Sequence, residues 1–283
     1  MAIFTNQATL TYNGNVITSN IATGELIEVL TASKTAVIGT YSQNSEITYV
    51  INIINSGSSA LTGLTVTDDL GRYSFDSTTL VPLDYVPNSV QYYVNGVLQP
   101  APTVTVGPPL LISGISVPGN GVVTIIYVAE TNQYAPLSLG TDITNTAVIR
   151  ADSITNVTVT ETVTPEADAQ LTITKNLSPT TVTENGQLTY TFTIQNTGNV
   201  PIVATDNVVI SDLFNPILSN LNVSFNGVLW NTPTNYSYSE ISGQFTTVPG
   251  QVTVPAAVYT QDVTTGAWTI TPGVSVLSVT GTI

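Results

Sequence analysis

The stretch LTYTFTIQNTG, residues 188–198, decides the fold of this 283-residue chain. Apolar and polar residues alternate along it, which is the period of a strand with one buried face, and Asn-Thr-Gly then supplies turn chemistry. The same alternation recurs in residues 47–53 and 122–128, and Asn-Gly, Ser-Gly and Pro-Gly pairs separate such runs. We therefore predict an all-β protein of two tandem immunoglobulin-like β-sandwiches with an N-terminal donor strand.

Two copies of one repeat account for the tandem prediction. ITYVINIINSG, which begins at Ile47, corresponds to LTYTFTIQNTG, and TVTDDL corresponds to VVISDLF, so Asp68 aligns with Asp212. We predict a donor strand and linker at 1–30, a first sandwich at 31–165 and a second at 166–283. Copy two also has an extra segment, 231–261, which we interpret as a decorated loop or a lateral contact between filaments.

The ends of the repeat are permuted. Copy one finishes with the strand DITNTAVIR, whereas copy two reaches Ile283 without such an ending. The matching segment is FTNQATLTY near the N-terminus, which aligns Asn6 with Asn145. We expect copy two to be a sandwich that lacks its closing strand, and this segment to be a closing strand without a domain of its own. Its donor side chains are Phe4, Ala8, Leu10 and Tyr12.

The segments LTYTFTIQNTGNVP, VVISDLF, NGVL and DITNTAVI resemble the bacterial "conserved repeat domain", an immunoglobulin-like domain of unknown function in long surface proteins. The resemblance implies a structural protein of the extracellular, cell or spore surface, and no enzyme. The N-terminus MAIFTNQATL has neither the basic nor the apolar region of a secretory signal, and no apolar run is long enough to cross a membrane. We therefore expect either a trimmed chain or export without such a signal, and no membrane insertion.

A sandwich without its closing strand exposes backbone groups and core, and strand addition from another copy would cover both. Donor and acceptor lie at opposite ends of the chain, so repetition of the contact gives an open head-to-tail homopolymer. A separate anchor or tip protein is a further expected partner. The alternatives are that residues 1–30 fold back on copy two, add an edge strand to copy one, or exchange within a closed dimer.

The chain contains only two lysines, Lys34 and Lys175, and they occupy equivalent positions of the repeat. Lysine, aspartate and asparagine on separate strands resemble the triad of self-crosslinking pilin and adhesin domains, which form isopeptide bonds. The resemblance implies a bond from Lys34 to Asn145 with Asp68 as the acid/base. It also implies a second bond, from Lys175 to Asn6 of the next subunit with Asp212.

This chemistry requires a buried, neutral amine and a carboxyl group that relays protons while ammonia leaves. Held in contact, the two groups react once per site without turnover. Asp69 is an alternative to Asp68, and Glu46 or Glu184 is an alternative to either aspartate. A simpler interpretation is that each lysine lies at the rim of its sandwich in a salt bridge with an aspartate, and that each asparagine is a turn residue or part of a β-ladder.

Composition excludes several other functions. The sequence has no Cys and no His, which removes the usual nucleophile systems and metal ligands, and we expect no cofactor or metal. A net charge of -14 disfavours nucleic acid as a partner. The alternative function is a non-polymerising carbohydrate-binding or adhesin module whose sugar platform would use aromatic rings. Those rings are Tyr92, Tyr93, Trp230, Tyr236, Tyr238 and Trp268.

Overall fold

The computed structural model describes residues 2–26, 29–152 and 154–283, and strands dominate throughout. In these residues the only helical element is a 3₁₀ turn at Ala204–Asp206, which confirms the all-β prediction. The chain divides into two compact units. Unit 1 comprises 1–135 and 142–164, and unit 2 comprises 136–141 and 165–283.

Residues 2–26 form a single β-hairpin of four short strands, here called the N-terminal hairpin. The strands are β1 (Ala2–Asn6), β2 (Thr9–Tyr12), β3 (Asn15–Thr18) and β4 (Ala22–Leu26). β1 pairs with β4 and β2 with β3, and the turn places Asn13 and Gly14 at φ of 48° and 80°. Positive φ at both turn residues matches the twist of a two-residue hairpin.

The N-terminal segment is more than one strand followed by a linker. Residues 15–26 form the second arm of the hairpin. Within the described chain, β1–β4 pair only with one another. Every side chain from Phe4 to Thr23 is exposed.

Beyond the N-terminal hairpin, the described residues of unit 1 contain fourteen strands. They are β5 (Leu30–Ala36), β6 (Thr40–Tyr41), β7 (Glu46–Asn55), β8 (Leu61–Asp68), β9 (Tyr73–Phe75), β10 (Thr78–Leu80), β11 (Leu83–Tyr85), β12 (Gln91–Val94), β13 (Val97–Gln99), β14 (Thr103–Thr105), β15 (Leu110–Val117), β16 (Gly121–Thr131), β17 (Ile143–Arg150) and β18 (Val157–Pro165). One sheet has the order β13-β12-β16-β7-β5, with β11 also on β16. The other has the order β14-β15-β8-β17-β18-β6.

Unit 2 repeats most of this plan. Its strands are β19 (Leu171–Ser178), β20 (Gln187–Asn196), β21 (Ser211–Leu213), β22 (Ser219–Phe225), β23 (Val228–Trp230), β24 (Tyr236–Tyr238), β25 (Gln244–Thr247), β26 (Val258–Gln261), β27 (Trp268–Thr271) and β28 (Gly273–Thr282). The sheet β19-β20-β28-β22-β23 reproduces β5-β7-β16-β12-β13, and β21-β25-β24 reproduces β8-β15-β14. Among the described strands of unit 2, none takes the place of β17 and β18.

The stretch that predicts the fold forms β20 and the turn after it. Its residues are alternately buried, and Asn196, fully buried, closes the strand by accepting hydrogen bonds from the N–H groups of Gly198 (2.9 Å) and Gln170 (3.0 Å). Gly198 is required because a Cβ there would meet the backbone oxygen of Asp168. In unit 1, Asn55 makes the equivalent bond to Gly57 (3.0 Å) at the end of β7.

The interpretation of 231–261 as an external loop is wrong. The segment supplies β24 and β25, which complete the second sheet, and Phe245, Val252 and Val254 lie in the core. The inserted part is the two-stranded β26–β27 hairpin. The sequence pattern missed this because the strands are only three and four residues long.

Candidate functional site

In unit 1 a buried lysine lies within a network of polar side chains. Lys34, on β5, donates from Nζ to Asp68 Oδ2 at 2.7 Å. Tyr127, on β16, donates its hydroxyl to the same oxygen at 2.6 Å, and Asn145 Nδ2 on β17 donates to the Tyr127 oxygen at 3.1 Å. Four strands from both sheets therefore bring together Lys34, Asp68 and Asn145, and Tyr127 links them.

The network is shielded from water. Asp68, Tyr127 and Asn145 are buried, and so is the side chain of Lys34. Lys34 Nζ lies 4.8 Å from the centroid of the Tyr49 ring. Burial lowers the pKa of Lys34 below 10.5 although Asp68 acts in the opposite direction, and burial raises the pKa of Tyr127.

The amide of Asn145 is held by one end only. Its Oδ1 is buried and lacks a hydrogen-bond partner among the described residues, whereas its Nδ2 is bound to Tyr127. An unsatisfied buried carbonyl is costly, and the Tyr49 hydroxyl and the Trp268 indole nitrogen are likewise buried without a hydrogen-bond partner among the described residues.

The alternative acids do not take the place of Asp68. Asp69 Oδ1 accepts bonds from the N–H groups of Gly71 and Thr146, both at 2.9 Å, so this carboxylate serves the turn after β8. Glu46 and Glu184 are exposed. Among these acids, Asp68 is the one that hydrogen-bonds Lys34.

Unit 2 contains an equivalent lysine–aspartate pair, but this pair is partly exposed to solvent. Lys175 donates to Asp212 and lies over the Tyr190 ring, with Nζ 4.2 Å from its centroid. The side chain of Lys175 is 39% exposed, compared with 0% for Lys34, and that of Asp212 is 19% exposed, compared with 1% for Asp68. β17, which encloses the unit 1 pair, has no counterpart among the described strands of unit 2.

The open side of unit 2 is apolar, and we call it the acceptor groove. It consists of the free edge of β21, at Asp212, and the face of β19 that carries Leu171, Ile173, Lys175 and Leu177. Leu30 of β5, which matches Leu171, is 4% exposed, whereas Leu171 is 38% exposed. Ile173 is 54% exposed and Leu177 37% exposed.

The predicted donor residues are all in the N-terminal hairpin. Phe4 and Asn6 lie on β1, Leu10 and Tyr12 on β2, and Ala8 joins the two strands. Phe4, Leu10 and Tyr12 are 59%, 63% and 71% exposed. The counterparts of Phe4, Asn6, Ala8 and Leu10 on β17 are buried; they are Ile143, Asn145, Ala147 and Ile149. The counterpart of Tyr12 is Ala151, which follows β17 and is half-buried.

Other predicted features are placed as follows. Tyr92, Trp230 and Tyr236 are buried core rings, so the six aromatic residues do not form one exposed sugar platform. The described ranges contain no group of three or more acidic side chains able to hold a metal ion. In the same ranges no helix has the length and apolarity of a membrane span.

No protein-family profile matches the chain, and no curated protein matches it in sequence. Solved structures with some likeness include the pilus backbone RrgB from Streptococcus pneumoniae (11% identity, TM-score 0.36, 86% of this chain and 55% of that one). A second is the major pilin subunit BcpA of Bacillus cereus, with 12% identity and a TM-score of 0.37 over 94% of this chain and 70% of that one. A third is a C-terminal fragment of the major pilin GBS80 of Streptococcus agalactiae, with 12% identity and a TM-score of 0.37 over 86% of this chain and 91% of that one. The chain thus spans about half of the RrgB structure. Likenesses this weak carry no argument about function.

Tyr127 is the site residue that sequence reasoning missed. A signal was present, because the repeat places a valine, Val279, at the same position: Tyr127 pairs with Tyr49, and Val279 pairs with Tyr190. Tyr127 in copy one and Val279 in copy two occupy the same position of the repeat, so the two lysine sites differ by one phenol hydroxyl. Unit 2 has no phenol at this point of its site.

Proposed function

We propose that this chain is a structural subunit of an extracellular surface filament. Subunits join head to tail when the N-terminal segment of one copy fills the acceptor groove of the next. Lys34 to Asn145 bonds harden each first unit, and Lys175 to Asn6 bonds weld neighbours. The observation that carries the proposal is the open Lys175–Asp212 pair, because the segment that the repeat assigns to its open side lies exposed elsewhere in the same chain.

The contact supported by the repeat is specific. Ala147 of β17 is the register partner of Asp68 on β8. The equivalent contact sets Ala8 of one copy opposite Asp212 of the next and directs Asn6 toward Lys175. Phe4 and Leu10 then cover the exposed face of β19, so both apolar surfaces leave water together.

The same reaction serves both sites. The neutral lysine Nζ attacks the asparagine Cγ, a bond forms between Nζ and Cγ, and the bond from Cγ to Nδ2 breaks. Nδ2 leaves as ammonia, taking up a proton that the amine loses and the aspartate relays. Each bond therefore lowers the mass by one ammonia. Asp68 and Asp212 have the acid/base role.

The test is to incubate the purified full chain, image it for fibres and run it on a boiled denaturing gel with intact-mass analysis. We expect fibres, a ladder of multimers that survives boiling, and one ammonia lost per bond. Asn6→Ala should keep the fibres and lose the ladder, whereas Asn20→Ala, an exposed residue of the same hairpin, should keep both.

The outcomes separate the components of the proposal. Fibres that form normally after deletion of residues 2–12 would overturn the strand contact. An unmodified monomer mass at every stage would remove the isopeptide chemistry. A chain that stays monomeric at all concentrations would favour the alternative of a non-polymerising adhesin or carbohydrate-binding module.

A further inference from the structure

The N-terminal hairpin matches the β17–β18 pair in both of its arms, not in one strand alone. In unit 1, Ile143 of β17 pairs with Val163 of β18, and the repeat aligns Ile143 with Phe4. Phe4 pairs with Gly24, which is the residue that the same alignment sets against Val163. The next pairs agree as well: Thr144 with Thr162 and Asn145 with Glu161 correspond to Thr5 with Thr23 and Asn6 with Ala22.

This agreement extends the repeat to a segment in which sequence similarity is weak. β18 reads VTVTETVTP and β4 reads ATGEL, so the second arm shows little likeness in its letters. The pairing of β1 with β4 nevertheless has the register of β17 with β18, and this shared register indicates a shared role in a sheet. The pairing of β2 with β3 is shifted by one residue, because Thr9 pairs with Thr18 where the alignment gives Ser19.

From this equivalence we propose that the element passed between copies is the complete hairpin Ala2–Leu26, docked through β1 and β2 while β3 and β4 stay paired with them. The inference rests on the proposed function and specifies its partner surface: the edge of β21 in a second copy receives a preformed two-stranded ribbon. The outer arm, β3–β4, becomes the new sheet edge, as β18 follows β17 in unit 1.

Two features of the free hairpin favour transfer as one piece. Its two-residue Asn13-Gly14 turn fixes the register, and Phe4 lies across Gly24, where a Cβ would collide with the Phe4 ring. Because the strands are already paired, binding does not have to order an extended segment or break a ladder. A two-stranded hairpin is marginal alone, which gives its apolar side chains a reason to dock.

A disulfide across the hairpin tests the inference, since the natural chain has no cysteine. Thr5 and Thr23 are register partners on the side that corresponds to the exposed Thr144 and Thr162, so Thr5→Cys with Thr23→Cys locks the arms together without touching the docking face. Directly opposed residues have Cα separations of about 4.5–5.5 Å, within the range for a disulfide.

We expect the oxidised double variant to form fibres and boiling-resistant multimers to the same extent as the reduced protein. Loss of assembly on oxidation, restored by reductant, would overturn the inference and leave strand donation intact, because it would mean that the arms must separate. Failure of the wild-type chain to assemble would overturn the proposed function itself.

A second measurement needs no substitution. In wild-type fibres, the backbone amides of residues 15–18 and 22–26 should gain protection from hydrogen exchange relative to the monomer. Amides in these residues that exchange as fast as in an unfolded chain would overturn the inference. If the cysteine pair prevents assembly in both redox states, Thr9→Cys with Thr18→Cys, also register partners, decides the disulfide test.

Discussion

Tyr127 separates the two lysine sites at the level of single residues. Its hydroxyl donates to Asp68 and accepts from Asn145, so in the proposed reaction it would position both groups without reacting itself. Val279 cannot do this in unit 2. The unit 1 bond should therefore form faster than the bond between subunits, which means that each subunit hardens before it is welded to its neighbour.

Tyr127→Phe should slow the unit 1 bond while the protein still folds. The lost bond to the Asp68 carboxylate is worth roughly 1.5–3 kcal/mol of stability, and the Asn145 amide loses the partner that orients it. The measurement is the fraction of fresh protein that lacks one ammonia, followed over time by intact mass. Tyr92→Phe is the matched control, because that buried hydroxyl bonds Ser116 instead (2.9 Å). Equal rates for the two variants would contradict a positioning role.

The lowered pKa of Lys34 predicts a pH dependence in protein that cannot form the bond, such as Asn145→Ala. The folded pKa lies below the 10.5 of the unfolded chain, so between the two values the unfolded state holds a proton that the folded state lacks. The free energy of unfolding must then rise with pH through that window, and this contribution is lost as the pH falls through the folded pKa.

Denaturant titrations from about pH 7 to about pH 9.5, which is below the ordinary tyrosine pKa of about 10, measure how the free energy of unfolding changes with pH. Adding Lys34→Met to Asn145→Ala removes the titrating group and should remove the rise. The same slope with and without Lys34 would show that the amine is not held in a desolvated state.

Much of the unit 1 site was predictable because repeats identify residues by position. Lys34, Asp68 and Asn145 follow from the alignment of two copies, and the structure brings them together; their roles stay predictions. The role of Tyr127 could not be predicted, because the alternation of apolar and polar residues shows only that its side chain points inward. That its hydroxyl reaches Asp68 depends on how two sheets face each other, and no local pattern contains that information.

At the scale of elements, the two faces of the N-terminal hairpin should differ in function. Ala8 corresponds to Ala147, which is fully buried, whereas Thr5 corresponds to the exposed Thr144. Both Ala8 and Thr5 are exposed in the free hairpin, so a charge at either position is tolerated by the monomer.

Ala8→Glu should abolish fibres, and Thr5→Glu should leave them intact. The first change would bury an unpaired carboxylate beside Asp212, which desolvation and like charge both oppose. Electron microscopy and the boiled gel read out the two variants side by side. Fibres from Ala8→Glu, or loss of fibres from Thr5→Glu, would reject the assigned docking face.

Elements were less predictable where two signals compete. Asn13-Gly14 between LTY and NVIT is a strong signal for a β-hairpin. Alignment of the N-terminal segment with the sequence of β17 instead predicts one closing strand, because the alignment stops before the second arm. Both descriptions apply, because β17 is itself one arm of a pair with β18. The strands β24 and β25 escaped because runs of three or four residues do not establish a period.

At the scale of the whole molecule, almost all of the charge lies outside the N-terminal hairpin, the segment proposed to mediate assembly. The net charge is -14, yet residues 2–26 contain one charged residue, Glu25. Like-charged bodies repel at a distance, whereas in the proposed contact the hairpin would bring almost no charge into the acceptor groove. Repulsion therefore opposes the approach of subunits and the side-by-side contact of filaments more than it opposes the docked state.

Assembly should accordingly become faster as salt increases. Between ionic strengths of about 0.01 M and about 0.15 M the Debye length falls from about 30 Å to about 8 Å, which screens subunit repulsion and leaves the apolar contact unchanged. Light scattering gives the rate of assembly, and Asn6→Ala should show the same salt response, because the amide bond forms only after docking. A rate that falls with salt would mean that opposite charges drive the contact. With Lys175 and Asp212 at the open groove and little charge in the hairpin, the structure offers no basis for such an attraction among the described residues.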